Sequence, residues 1–209
     1  MLYYNSSKSI TAVSFDTACF NDLNYCIKQE HPEITLYAIN PEEFVNSPPD
    51  NTTQYINLVT RELDLRQRVT EYLDRHDLDR FTFVHPLSLV GTDIGSQNGS
   101  YIGPFAGIQT KVTLENDLFI DGYAAIGHKC SIGTGTIVCS HTIIGGTTKI
   151  GRHCKLNLRC TIYDAVSIAN NTIIGAESTV RKSIADPGVY ATLKNGSLKK
   201  ISATKTVDN

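Results

Sequence analysis

The sequence predicts a small α/β unit of Rossmann type over residues 1–84, followed by an all-β left-handed parallel β-helix over residues 85–193. Three observations predict it. Every sixth residue from Ile102 to Val180 is aliphatic, fourteen positions without a break, in a chain that is only 41% hydrophobic. Four residues after each aliphatic stands a second column of mostly small or β-branched residues, from Ala106 and Val112 to Thr172 and Ser178. The first 84 residues lack this period and alternate short apolar runs with helical spacing.

Within the first unit, Ile10–Phe15 reads as a strand, and residues 19–29 place Leu23, Cys26 and Ile27 on one helical face. Ile34–Ile39 and Tyr55–Val59 read as further strands, separated by a loop over Asn46–Thr53 that carries Pro48, Pro49, Asp50 and Asn51. Thr60 stands where it could cap a helix whose apolar positions are Leu65, Val69, Tyr72 and Leu73. Phe81–Val84 would be a fourth strand of a small parallel sheet. His85-Pro86 marks the boundary, because the residue before proline is driven to extended geometry.

Beyond it, each hexad supplies a short strand and a corner, and three hexads close a triangular coil of eighteen residues. Both inward columns then stack on themselves at about 4.8 Å, the strand spacing of any sheet. No coil buries its core alone, so the array must be cooperative. Gly103, Gly127, Gly133, Gly145, Gly151 and Gly175 recur one residue after the aliphatic, where tight corners are expected. Ser96 breaks the period, so the first coil is expected to be distorted. Residues eighteen apart share a face, so Tyr123, His141, Arg159 and Glu177 should form an outward ladder. An antiparallel sandwich would show period two and turn clusters every eight to twelve residues instead, and neither is present.

Composition narrows function by exclusion. A net charge of -2 and no basic stripe argue against nucleic-acid binding. No apolar stretch approaches the roughly 18 residues that span a bilayer. MLYYNSSKSI lacks the basic and apolar regions of a signal peptide, which makes a cytoplasmic location the expectation. The six cysteines, Cys19, Cys26, Cys130, Cys139, Cys154 and Cys160, contain no CxxC pair, so reduced thiols are expected. Cys139, His141, His153 and Cys154 could suggest a metal, but His141 and His153 fall on different faces of the prism, and no metal is expected. Lys194, Lys199, Lys200 and Lys205 give residues 194–209 the look of a basic tail.

The run from His85-Pro86 through Ala124-Ala-Ile-Gly-His-Lys-Cys-Ser-Ile-Gly133 to Ile174-Ile-Gly-Ala-Glu-Ser-Thr-Val180 resembles the nucleotide-sugar acetyltransferase family. That family includes bacillosamine and perosamine N-acetyltransferases and relatives named for sialic acid O-acetylation. The resemblance implies transfer of acetyl from acetyl-CoA to an amino or hydroxyl group of a sugar or nucleotide-linked sugar, in surface polysaccharide biosynthesis. It also implies a homotrimer with acetyl-CoA held between subunits. His128 occupies the place of the family's general base, a role suited to imidazole. Lys129 replaces the acid that usually follows, and Asp121, where the family often has Asn, becomes the candidate to orient the ring. Gly146, Leu158 and Ala176 fall on positions lining the pantetheine groove. Ile137 replaces a second family histidine, and the role is not carried to His141. Lys199 and Lys200, or Arg181 and Lys182, could meet the phosphates of coenzyme A. The first strand runs into Asp16-Thr-Ala-Cys-Phe20, without the glycine-rich loop that the family places against phosphates. A β-helix that has lost catalysis and serves only trimer assembly is the alternative reading.

Overall fold

The computed structural model describes residues 9–15, 17–95 and 98–203. Asp16, Ser96 and Lys205, invoked above, lie outside these. Strand β1 (Ser9–Val13) pairs in parallel with β2 (Leu36–Ile39) on one side and β3 (Thr53–Asn57) on the other. Helix α1 (Thr17–Glu30) buries Leu23 and Ile27 against Ile10, Ala12 and Ile56 of this sheet. Helix α3 (Leu63–Arg75) buries Leu65, Val69, Tyr72 and Leu73 together with Val13, Phe44 and Tyr55. The core positions read from the sequence are thus the ones that pack.

Three local expectations change. Helix α2 (Pro41–Asn46) stands where no helix was expected, with the Asn40 side chain accepting from the Glu42 and Glu43 N–H groups and Pro41 at its start. Asn followed by Pro and two glutamates is a helix-start signal that outweighed the short length of the apolar run. Thr60 does not cap α3: the N-cap is Glu62, with no side-chain cap bond. The fourth strand is divided. Arg80 bridges Tyr55 of β3, whereas Phe83–Val84 pairs with Tyr101–Ile102 and opens the next architecture. One short segment therefore splices the sheet to the coils.

From Phe83 onward the chain is a parallel β-solenoid with three faces. As far as Val180 every ladder pairs residues eighteen apart, such as Ile120 with Val138 on the first face, Ile126 with Ile144 on the second and Ile132 with Ile150 on the third. All fourteen aliphatic positions from Ile102 to Val180 are at most 3% exposed. Burying each is worth about 1.5–3 kcal/mol relative to leaving it in water. The small column is buried too, and its polar members from Cys130 to Cys160 follow one rule. Thr136, Thr142 and Thr148 donate to the carbonyls of Gly151, Asn157 and Tyr163 at 2.9–3.0 Å, fifteen residues on. Cys130, Cys154 and Cys160 place Sγ 3.1–3.2 Å from the carbonyls of Gly145, Ala169 and Gly175. A small side chain with a terminal donor therefore ties each corner to the next coil, so the inward cysteines are structural.

The corners correct the glycine expectation. Left-handed backbone falls on the third residue after the aliphatic, in Phe105, Lys111, Asp117, Tyr123, Lys129, His141 and on through Glu177, almost all of them non-glycine. The recurring glycines instead make room for the neighbouring coil: a Cβ on Gly127 would stand 2.7 Å from the Gly146 nitrogen, and one on Gly133 2.6 Å from the Arg152 nitrogen. The expected outward ladder forms along these left-handed corners. Tyr123 stacks on His141 with ring centres 4.9 Å apart, and Arg159 Nη1 lies 3.5 Å from Glu177 Oε1.

What the hexad period does not show is how the first unit docks. On the first face the outward positions Phe83, Tyr101, Phe119 and Ile137 are also buried, packed with residues of α1 and the three-stranded sheet. Arg66 of α3 is buried and donates to the carbonyls of Asn57 and Val59 at 2.9 Å, of Gly135 at 2.9 Å and of Asp117. Burial pulls its guanidinium down to about 10, with the nearby Asp117 carboxylate opposing that fall. Asp117 is itself buried, and Arg80 Nε sits 3.0 Å from its carboxylate. At the other end Leu198–Ser202 pairs antiparallel with Val189–Thr192, which extends the first face. Part of the expected basic tail is therefore a closing strand.

Candidate active site

The second face, unlike the first, is open. Its outward positions are Leu89, Gly107, Ala125, Ile143, Thr161 and Thr179, and the first four floor a groove of about 850 Å³. Leu89 is 79% and Ile143 53% exposed, an apolar floor that no described element covers. The corner toward the third face walls the groove with His128, Gly146 and Asp164.

His128 is exposed at that corner, two residues after inward Ile126. Its N–H donates to Gln109 Oε1 at 3.0 Å, and its carbonyl accepts from the Thr147 N–H at 2.8 Å. The imidazole lies across Gly146: a Cβ there would be 2.6 Å from Cε1, 2.8 Å from Nδ1 and 3.2 Å from Nε2. Gly146 is therefore the bare seat of the ring. Its N–H donates to Asp164 Oδ1 at 2.8 Å. Residues 128, 146 and 164 are eighteen apart, so the three occupy one column on successive coils. The sequence reading did not single out Asp164, although the eighteen-residue spacing from His128 was the available signal.

The other predicted residues fall elsewhere. Asp121 stands at the opposite edge of the second face, where its carboxylate accepts from the Gly122 N–H at 2.7 Å and from the Ser140 hydroxyl. Those are its partners here, and His128 is not among them. Leu158 and Ala176 follow Ser140 in a column on that same edge, both exposed. The predicted residues thus border the two sides of one face without meeting in one chain. Lys199 and Lys200 lie on the closing strand next to the first face, and Lys200 Nζ pairs with Asp186 at 2.7 Å. Arg181 stacks its guanidinium on Tyr163 at 4.9 Å. Among the described residues, no group of three or more His, Cys, Asp or Glu could hold a metal ion.

A second cavity, about 480 Å³, lies between α3 and the coils, bordered by Arg61, Arg68 and His153. Burial pushes the His153 imidazole down, with Glu71 partly opposing.

No family model matches the chain. It is 33% identical over 80 residues to the probable mitochondrial UDP-3-O-acylglucosamine N-acyltransferase 2 of Arabidopsis thaliana, and 26% identical over 105 residues to the UDP-3-O-acylglucosamine N-acyltransferase of Cupriavidus metallidurans. These matches cover 38% and 50% of this chain, but only 26% and 28% of the relatives' own length. Solved structures match more fully. The acetyltransferase domain of PglB from Neisseria gonorrhoeae superposes with TM-score 0.79 at 14% identity, over 93% of this chain and 100% of that one. A mutant perosamine N-acetyltransferase from Caulobacter crescentus, solved with CoA and GDP-perosamine, gives TM-score 0.73 at 13% identity, over 95% of this chain and 99% of that one. WeeI from Acinetobacter baumannii gives 0.74 at 12% identity, over 92% and 100%. At such identities the likeness is one of fold, and the chain shares the architecture of these proteins along nearly its whole length.

Proposed function

We propose that this chain is an acyltransferase that moves an acetyl group from acetyl-CoA to an amino or hydroxyl group of a sugar or nucleotide-linked sugar. The observation that carries the reading is the seating of His128, an exposed imidazole laid across bare Gly146 at the wall of an open apolar groove. The neighbours named above as acetyltransferases, one of them solved with CoA and a GDP-sugar, support the choice of donor and acceptor class.

In this reading His128 takes the proton from the attacking amine or hydroxyl as its nitrogen or oxygen bonds to the thioester carbonyl carbon. Collapse of the adduct breaks the C–S bond, and the coenzyme A thiolate leaves with a proton. The thioester is already activated, so a base and alignment of two substrates supply most of what is required. The groove floor of Gly107, Ala125 and Ile143 suits an extended pantetheine arm, with Gly146 on one side and Leu158 and Ala176 on the other. The floor is apolar and open, and in this reading a second copy in a homotrimer covers it. Asp121, held by Gly122 and Ser140 at the opposite edge, then faces the groove of a neighbour. The coils take the left-handed sense, and the sheet ordered β2-β1-β3 forms a Rossmann-like domain that receives the acceptor and ends where the coils open at Phe83, two residues short of the expected boundary. Lys199 and Lys200 are the proposed contacts for the coenzyme phosphates.

Thiol release from acetyl-CoA, screened against nucleotide-linked and free amino sugars, tests the reading. His128→Ala should lower kcat by about two to four orders of magnitude while calorimetry still detects coenzyme binding. Unchanged turnover in that variant rejects His128 as the base. A wild-type chain that neither binds acetyl-CoA nor releases thiol is the result the assembly-only reading expects.

A further inference from the structure

We infer that Asp164 is the positioning carboxylate of His128, an inference that rests on His128 being the base. An imidazole that works as a base must hold its proton on one nitrogen and offer the other. Lys129, next in the chain, is a cation and cannot fix the proton in that way. Asp121 is engaged with Gly122 and Ser140 at the far edge of the face. Asp164 is the carboxylate in the column that holds the ring.

The geometry points the same way. Only Gly146, without a side chain, stands between His128 and Asp164 in their column. Nδ1 lies closer than Nε2 to the place where a Gly146 Cβ would be, 2.8 against 3.2 Å. Nδ1 is thus the nitrogen turned toward the next coil, and Nε2 the one left for substrate. Asp164 approaches from the other side with Oδ1 on the Gly146 N–H at 2.8 Å. A Cβ on Gly145 would fall 2.2 Å from that oxygen, so Gly145 leaves room for the carboxylate as Gly146 leaves room for the ring. Both side chains are exposed and free to turn, and the inference requires a turn that sets the second carboxylate oxygen on Nδ1–H. When the donor's carbonyl takes the Gly146 N–H, the carboxylate is released for that partner. The remaining cations near this corner are Lys129 beside the histidine and Arg181 and Lys182, which follow Asp164 by about one coil.

The fold itself supplies the informative variant. At the next corner Asn170 Oδ1 accepts from the Arg152 N–H at 2.9 Å, the same contact that Asp164 makes with Gly146. A neutral amide therefore keeps this corner, and Asp164→Asn removes the charge while preserving the cap. The experiment compares wild type, Asp164→Asn, Asp164→Ala and His128→Ala by thiol release from acetyl-CoA across pH, by thermal unfolding and by 15N spectra of the imidazoles. Asp164→Asn should unfold with wild type, lose about 10- to 100-fold in kcat with the acetyl-CoA KM retained, and change the shape of the pH profile. Its His128 should show mixed tautomers where wild type holds the proton on Nδ1. Asp164→Ala should lose the same activity and also unfold earlier. If His128→Ala is inactive but Asp164→Asn keeps wild-type turnover and tautomer, Asp164 is only a corner cap and the inference fails while the base stands. If His128→Ala retains turnover, both fall.

Discussion

Gly146→Ala separates catalytic geometry from fold at a single atom. Gly146 has no left-handed backbone, so alanine is conformationally acceptable there. The added Cβ would meet His128 Cε1 at 2.6 Å, about 1 Å inside the ordinary carbon contact of roughly 3.5–4.0 Å. The obstacle is an exposed side chain, which can turn away at a cost of about 0.5–1.5 kcal/mol if it leaves its rotamer. For a chain of this length, 1 kcal/mol moves the melting temperature by about 2–4 °C. The displaced imidazole matters more, because a 1 Å misplacement of a reacting group is worth about a hundredfold in rate. Gly146→Ala should therefore melt within a few degrees of wild type and lose about a hundredfold in kcat/KM for thiol release from acetyl-CoA. Gly127→Ala is the control: its Cβ would meet backbone, the Gly146 nitrogen at 2.7 Å and the Gly145 carbon at 2.9 Å. Backbone cannot turn aside, so the cost should be about 1–3 kcal/mol of stability. Full turnover in Gly146→Ala would refute the seating argument, and a collapse in melting temperature would make Gly146 a packing residue.

Arg80→Ala should cost about 3–5 kcal/mol in urea unfolding, because it strands the buried Asp117 carboxylate, and Asp117→Asn in the same chain should recover part of the loss; a cost under 1 kcal/mol would show the pair to be dispensable. Burial pushes the Cys154 and Cys160 thiols up to about 11, so iodoacetamide at pH 8 should label them only after unfolding. With folded values above the ordinary 9.0, their stabilising effect is complete below that pH and is lost as pH rises toward 11; rapid labelling of the native chain would contradict it. Light scattering should find a trimer, and mixing His128→Ala with Asp121→Ala chains should raise activity above the average of the two if each site takes one residue from each copy. Lys199→Ala with Lys200→Ala should weaken acetyl-CoA binding if these residues meet its phosphates, a cleaner test than truncation at Asn195, which would remove a paired strand.

The solenoid was legible in the sequence because its period is covalent. Six residues return the chain to the same inward position and eighteen to the same face, so Ile102 to Val180, the inward cysteines and the Arg159–Glu177 rung follow from counting. His128 was legible through its motif, and the helical faces of α1 and α3 through their spacing. Other features depend on what neighbouring coils and elements bring together. The hexad count assigns Phe83, Tyr101, Phe119 and Ile137 to the outside, and only the docking of the first unit buries them. Glycine recurrence suggested turns, but the left-handed corners fall two residues later, and the glycines answer to backbone on the next coil. Asp121 was chosen because it stands where the family often has Asn, yet seven residues along a prism lead to another edge. Asp164, thirty-six residues away, reaches the same glycine as His128, because contact in a solenoid is set by whole coils rather than by distance along the chain.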